Sequence, residues 1–97
     1  MNIVSLEVIH LRSVGEPIDR IARVMLAALG ESSRGISVYR SADVDTDVAI
    51  HILHEGPSDL RNGSNVAIRL ASELEAFGMV HVSRWFSIAS EPPLPTE

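Results

Sequence analysis

Residues 48–53 read Val-Ala-Ile-His-Ile-Leu and form the clearest structural pattern in this chain of 97 residues. Branched apolar residues occupy every even position, and the odd positions mix apolar residues with His51. Successive side chains of a strand point to opposite faces of its sheet. The stretch therefore predicts a strand with one dry face and one mixed face.

Two further elements are predicted directly before and after this strand. Residues 36–40 alternate in the same way, and the polar stretch 41–45 predicts a hairpin between the two strands. On the other side, residues 55–63 contain Gly-Pro, Ser-Asp and Asn-Gly, which are typical of a loop. Ser64 or Asn65 then offers an N-cap for a helix that runs to about Phe77. The predicted inward stripe of this helix is Ala67, Leu70, Ala71 and Leu74.

The outermost elements complete the pattern. Residues 3–11 predict a first strand, and Pro17 opens a first helix that closes near Gly30. The apolar residues of that helix, at helical spacing, are Ile18, Ile21, Ala22, Met25 and Leu29. Gly78 matches the left-handed residue that commonly ends a helix, and residues 80–89 resume strand character.

The element order is therefore β-α-β-β-α-β, numbered β1 to β4 and α1 to α2 along the chain. Two interleaved β-α-β units predict a ferredoxin-like α+β fold with a four-stranded antiparallel sheet of order β4-β1-β3-β2 and both helices on one face. We expect one domain over residues 1–89. The tail, residues 90–97, holds three of the five prolines and predicts either disorder or an arm on another surface.

The sheet face without helices, called the open face below, is expected to be half apolar. Alternation assigns to it Ser5, Glu7, Ile9, Tyr39, Ala49, His51, Leu53, His81, Ser83 and Trp85. A mixed patch of this kind usually marks a binding surface or a subunit contact. Arg84 has the alternation of the helix side, so it either extends off the edge of β4 or marks a bulge near Trp85.

A candidate site follows from these assignments. Glu7, His51 and His81 are expected on neighbouring strands of the open face, where a Glu-His pair is a plausible proton acceptor. Tyr39, Ser83 and Trp85 would line the wall against a flat ligand. The alternative is a buried polar pair with satisfied hydrogen bonds, or histidine side chains at a subunit contact. A metal is disfavoured because a whole strand separates His51 from His81, and the acidic residues Asp43, Asp45 and Asp47 predict a solvated turn.

Composition excludes several classes of function. The net charge is −5, and the eight basic residues are all arginines scattered singly, which argues against a nucleic-acid partner. The chain has no cysteine, so disulfides and thiolate chemistry are excluded. The apolar N-terminal run is interrupted by Ser5, Glu7 and His10, which predicts a strand rather than a signal peptide or membrane span. We expect a cytoplasmic protein without membrane association and without a cofactor.

Residues 63–71, Gly-Ser-Asn-Val-Ala-Ile-Arg-Leu-Ala, and residues 77–85, Phe-Gly-Met-Val-His-Val-Ser-Arg-Trp, carry a family resemblance. They resemble small bacterial proteins of the dimeric α/β-barrel group, which includes the antibiotic-biosynthesis monooxygenases. The resemblance implies a homodimer in which two open faces enclose a cavity. No stretch of this sequence matches a catalytic motif of the characterised enzymes in that group.

Two classes of function stay open at this point. The first is a homodimer that binds a small, partly aromatic organic molecule between its sheets, as a cofactor-free oxygenase or isomerase. The second is a non-catalytic module for assembly or for ligand sensing, in which an ACT-like domain would bind near Gly15. The residues do not decide whether the protein is an enzyme.

Overall fold

The fold is an antiparallel sheet of four strands with two helices. The computed structural model describes residues 4–13, 18–30, 34–55, 63–89 and 91–95. Its elements are β1 (Val4–Ser13), α1 (Ile18–Leu29), β2 (Ile36–Arg40), β3 (Asp47–Glu55), α2 (Asn65–Leu74) and β4 (Gly78–Phe86). The strands lie in the order β2-β3-β1-β4, all antiparallel, which is the predicted order read from the other edge. The α+β class, the element order and the sheet order are confirmed.

Most element ends follow the local sequence signals. β2 has the predicted bounds, and α1 ends before Gly30, whose φ of 56° is left-handed. Ser64 caps α2 by accepting a hydrogen bond from the backbone N–H of Ala67 at 3.1 Å. α2 ends at Leu74 rather than at Phe77, because Phe77 N–H donates to Leu74 O at 2.9 Å in a tighter turn that leads into β4.

The predicted end of β4 at residue 89 is wrong. The pairing of β4 with its neighbour β1 ends at Phe86 and Ser5, and two hydrogen bonds join the next residues, Ser87 and Val4. Ser87 N–H donates to Val4 O at 2.9 Å, and Val4 N–H donates to Ser87 Oγ at 3.0 Å. A strand needs a partner for its backbone groups, so β4 ends at Phe86 and Ile88 is exposed.

Within the described residues, an apolar core lies between the sheet and the two helices. Both helices contribute to it, with Met25 from α1 and three residues from α2. The buried apolar residues are Ile9, Leu11, Met25, Val48, Ile50, Ile52, Ala67, Leu70 and Leu74. Ala71, predicted in the α2 stripe, packs at its margin, as does Leu29 of α1.

Strand register defines the open face, because residues directly opposite each other point to the same side of a sheet. Its residues are Val4, Leu6, Val8, His10, Arg12, Ser37, Tyr39, Asp47, Ala49, His51, Leu53, Glu55, Met79, His81, Ser83 and Trp85. The assignment predicted for β2, β3 and β4 agrees with this register. Arg84 lies on the helix side, opposite Glu7, and pairing continues without a break to Phe86, so no bulge occurs near Trp85.

The assignment predicted for β1 is wrong. Ser5, Glu7 and Ile9 are fully buried on the helix side, and Val4, Leu6 and Val8 lie on the open face. The sequence of β1 has apolar residues on both faces, so polarity alone does not decide which face is inside. Leu11 continues the inward set and is also buried, which places His10 and Arg12 on the open face.

Gly78 does not adopt the left-handed conformation that the sequence predicts for it. It lies within β4, opposite Ser13, and its φ is not positive. A Cβ at this position would overlap the backbone carbonyl oxygen of Arg12. Gly78 is therefore required by the close approach of β4 to β1 and not by a helix cap.

Some predictions fall outside the described residues. These are the position of Gly15, most of the loop over residues 55–63, and residues 90, 96 and 97 of the tail. The side chains of Ile18, Ile21 and Ala22 are also outside the described part of α1. Residues 91–95 are exposed and have no regular structure.

We expect Gly78→Ala and Gly78→Asn to destabilise the fold alike, by about 3 kcal/mol each, because any Cβ meets the β1 backbone. Gly30→Asn is the matched control, since nothing lies within 4 Å of a Cβ there and Asn tolerates a left-handed φ. Urea unfolding followed by circular dichroism measures the free energy of unfolding of each variant. Wild-type stability in Gly78→Asn would contradict the close-approach explanation.

Candidate functional site

The predicted site residues fall on two opposite faces of the sheet. His51, His81, Tyr39, Ser83 and Trp85 lie on the open face. Glu7 does not join them, since it lies on the helix side with none of its surface exposed. The predicted trio of Glu7, His51 and His81 is therefore not brought together.

Glu7 instead occupies a buried polar cluster where β1, β3 and the start of α2 meet. Its Oε1 lies 2.6 Å from His54 Nε2, and its Oε2 accepts the backbone N–H of Ser64 at 2.9 Å. The guanidinium of Arg84 is close by, because a Cβ at Gly63 would be 2.8 Å from Arg84 Nη2 and 3.4 Å from Glu7 Oε2. All buried side-chain polar atoms of the described residues have a hydrogen-bond partner.

The carboxylate of Glu7 completes the cap of α2. In a capping box, a glutamate in the first helical turn accepts the N–H of the N-cap residue. Here the third residue of α2 is Ala67, and Glu7 of β1 accepts the N–H of the N-cap Ser64 instead. The negative charge also lies at the positive end of the helix dipole.

These contacts determine the protonation of Glu7. Burial alone would raise the pKa of Glu7, but hydrogen bonds from Ser64 and His54, and the charge of His54, more than offset it and hold the pKa below its ordinary value. Glu7 is therefore an ionised structural carboxylate at neutral pH. Its histidine partner is His54, and not His51 or His81 as predicted.

The open face has a regular arrangement of rows across the strands. One row is apolar, with Leu6 between Leu53 and Trp85. Two rows further along β1, His10 lies between Ala49 and His81, and Tyr39 is next to Ala49. The face therefore divides into an apolar part and a part rich in hydrogen-bonding side chains.

A shallow concavity of about 260 Å³ lies over the polar part. Its lining residues are Val8, His10, Tyr39, Arg40, Ser41, Asp47, Val48, Ala49, His81 and Ser83. His10 Nε2 is 3.2 Å from Asp47 Oδ2, and the Asp47 side chain is only 13% exposed. Because an ionised carboxylate can only accept, His10 donates through Nε2 and keeps Nδ1 as an acceptor when the ring is neutral.

Two aromatic side chains of the open face have defined neighbours. The rings of Tyr39 and His51 are 4.7 Å apart between centroids and tilted by 58°. Trp85 Nε1 donates to Ser83 Oγ at 3.0 Å, and the Trp85 side chain remains 59% exposed. The polar atom of the indole is thus satisfied within the strand, and its apolar ring faces outward.

Sequence reasoning missed His10 and Asp47. A signal for His10 was available, because Ile9 and Leu11 form an inward pair and leave His10 on the other face. Asp47 was grouped with the acidic hairpin turn, yet it is the first residue of β3 and lies opposite Arg12. His54 lies on the opposite face of β3 from His51, because an odd number of positions separates them, and its partner Glu7 follows only from the register.

No protein-family model, curated protein or solved structure matches this chain. Within the described residues, no three or more histidine and carboxylate side chains are grouped so that they could hold a metal ion. Neither of the two described helices is long and apolar enough to cross a membrane.

We expect Glu7→Gln to lower the free energy of unfolding at neutral pH by about 2 kcal/mol, because an amide replaces a carboxylate that accepts charge-assisted hydrogen bonds. The wild-type contribution is present above the ordinary glutamate pKa of 4.5 and is lost as pH falls through the lower folded-state pKa. The difference between the two proteins should therefore shrink in acid.

Urea unfolding at several pH values tests this expectation. The matched control is Glu55→Gln, which changes an exposed carboxylate at the end of β3. Equal stability of Glu7→Gln and Glu55→Gln at neutral pH would show that the buried carboxylate does not stabilise α2.

Proposed function

We propose that two copies of this chain pair through their open faces into a homodimer, and that the cavity between the sheets binds a small, partly aromatic organic molecule. The observation that supports this most is the exposure of large apolar side chains on the open face. These side chains are Tyr39, Leu53, Met79 and Trp85, each more than half exposed in the single chain. Leu53 and Trp85 flank Leu6 in one row across the sheet, and an exposed apolar row of this kind usually marks a contact surface.

The surface area of the chain supports a second copy as the occupant. A folded monomer of 10.5 kDa is expected to expose about 5,400 Å². The chain exposes 7312 Å², an excess of about 1,900 Å² over that expectation. The exposed residues 91–95 account for part of it, and a standard interface needs only about 800 Å² from each partner.

The division of the open face fits both parts of the proposal. The row of Leu53, Leu6 and Trp85 supplies an apolar contact for the partner, and the concavity beside His10 and His81 would face its counterpart. Two such concavities would enclose about twice the volume of one, which lies within the usual range for small-molecule sites. The resemblance of residues 63–71 and 77–85 to the dimeric α/β-barrel group supports the same assembly.

Two uses of this cavity differ in what they require. A cofactor-free oxygenase or an isomerase needs a proton acceptor, which His10 oriented by Asp47 would supply beside His51 and His81. A ligand-sensing or assembly module needs binding alone. Turnover that disappears in His10→Ala while ligand binding remains would support the enzyme, and binding without turnover of any candidate would support the module.

Trp85→Ala should raise the dimer dissociation constant by roughly a hundredfold, since losing a buried indole at a contact costs about 3 kcal/mol. Phe86→Ala is the matched control, because Phe86 is the next residue, is 57% exposed and lies on the helix side. Light scattering across a dilution series measures the dimer, and circular dichroism follows the helices.

The expected result is loss of dimer with helical signal retained in Trp85→Ala and an unchanged dimer in Phe86→Ala. A wild-type protein that is monomeric at micromolar concentration would overturn the proposed function. Unfolding of Trp85→Ala without a separate dissociation step would place Trp85 in the core of the protomer.

A further inference from the structure

We propose that the two copies pair about a two-fold axis that runs along the strands, between β1 and β3, so that Arg12 of each copy meets the partner's Asp47. The proposal rests on the homodimer described above and adds the orientation of its two sheets. Two sheets in aligned packing keep their strand directions within about 30° of each other. A symmetric pair then has two possible axes in the plane between the sheets, one along the strands and one across them.

The two axes bring different rows of the open face together. With the axis along the strands, each row faces the same row of the partner, β1 faces the partner's β3, and β4 faces the partner's β2. With the axis across the strands, through the row of Val8, each strand faces its own copy. The rows on one side of Val8 then face those on the other side.

Charge favours the axis along the strands. Arg12 lies opposite Asp47 on the neighbouring strand, so this axis sets each Arg12 over the partner's Asp47. The axis across the strands would instead set Asp47 over the partner's Glu55 and Arg12 over the partner's Val4, because each of these pairs occupies the two ends of one strand. Two carboxylates would then face each other, and a cation would lose water without gaining an opposite charge.

The contact within each copy extends into a network across the interface. Arg12 Nε lies 3.8 Å from Asp47 Oδ2 of the same chain, and the Arg12 side chain is 70% exposed. In the proposed orientation two arginines and two aspartates would alternate around the contact. Each charge would then have opposite charges both beside it and in front of it.

Apolar side chains give the same preference. The axis along the strands sets Leu6 over the partner's Leu53, whereas the axis across them sets Leu6 over the partner's His10. Trp85 would face the partner's Gly35, whose backbone oxygen accepts the N–H of Leu53 at 2.9 Å. The large indole ring thus meets a position of that row without a side chain, which favours close packing.

The cavity would be lined by both copies in this orientation. The row of His10 crosses all four strands, with His81 on one side and Ala49 and Tyr39 on the other. His81 of one copy would face the partner's Tyr39, and His10 would face the partner's Ala49, a small side chain. A single chain supplies only half of this lining, so binding of a small molecule would require the dimer.

A charge exchange between two variants tests the orientation. Arg12→Glu alone sets carboxylates over carboxylates and Asp47→Arg alone sets cations over cations, so each should dimerise at least about tenfold more weakly than wild type. Their equimolar mixture should form the heterodimer with near wild-type affinity, because opposite charges are restored at both contacts. Native mass spectrometry counts homodimers and heterodimers, and circular dichroism checks that each variant folds.

The matched control is Glu55→Arg, which reverses an exposed charge at the other end of β3. In the proposed orientation Glu55 faces the partner's Val4 and not its Arg12. A mixture of Glu55→Arg with Arg12→Glu should therefore give no excess of heterodimer over the statistical share.

Cross-linking provides a second measurement that leaves these charges unchanged, because the chain has no cysteine of its own. Leu53→Cys mixed with Leu6→Cys should be joined by a short bifunctional thiol reagent, since the two side chains would face each other. Leu53→Cys mixed with Ala49→Cys is the matched pair, which only the axis across the strands brings together. An isotope label on one protein of each pair lets mass spectrometry identify links between unlike chains.

The orientation and the homodimer fail in different ways. Wild-type protein that is monomeric at micromolar concentration would overturn the proposed function and the orientation with it. A wild-type dimer whose charge variants form no excess of heterodimer, or in which Leu53→Cys links to Ala49→Cys more readily than to Leu6→Cys, would overturn the orientation alone. An excess of heterodimer with the Glu55→Arg control would also overturn it, because the effect would then be one of general charge.

Discussion

The buried carboxylate of Glu7 is the interaction on which the arrangement of this fold depends. It joins β1 to His54 of β3 and to the N–H of Ser64, the N-cap of α2, so one side chain fixes the relative positions of three elements. An ionised group without exposed surface is tolerated only when it is fully bonded, and here both oxygens have partners. The register of β1 must therefore keep Glu7 beside Ser64.

That constraint also decides the composition of the open face. Because side chains alternate along a strand, turning Glu7 inward turns His10 and Arg12 outward. His10 then meets Asp47 on one neighbouring strand and His81 on the other. Glu7 and His10 lie three residues apart on β1. A single register therefore places the structural carboxylate inside and the candidate binding group on the open face.

The two ends of the open face differ for a related reason. Near the start of β1, the polar residues Ser5 and Glu7 are inside, and the apolar residues Val4 and Leu6 are left outside. Near its end, Ile9 and Leu11 fill the core, and the polar residues His10 and Arg12 lie outside. The apolar and polar parts of the face come from this exchange along the length of one strand.

The sequence by itself determined the element order, the sheet order and the face assignments of β2, β3 and β4, because alternation, the Ser64 cap and the turn at Gly30 are local signals of sufficient strength. It did not determine the face of β1, where both faces contain apolar residues and the polar ones are stabilised by groups distant in the chain. Only the tertiary structure decided that Glu7 caps α2 at Ser64, 57 residues further on, and that Gly78 is needed where β4 passes the backbone of Arg12. Both are contacts between elements, and neither leaves a pattern in the residues next to them.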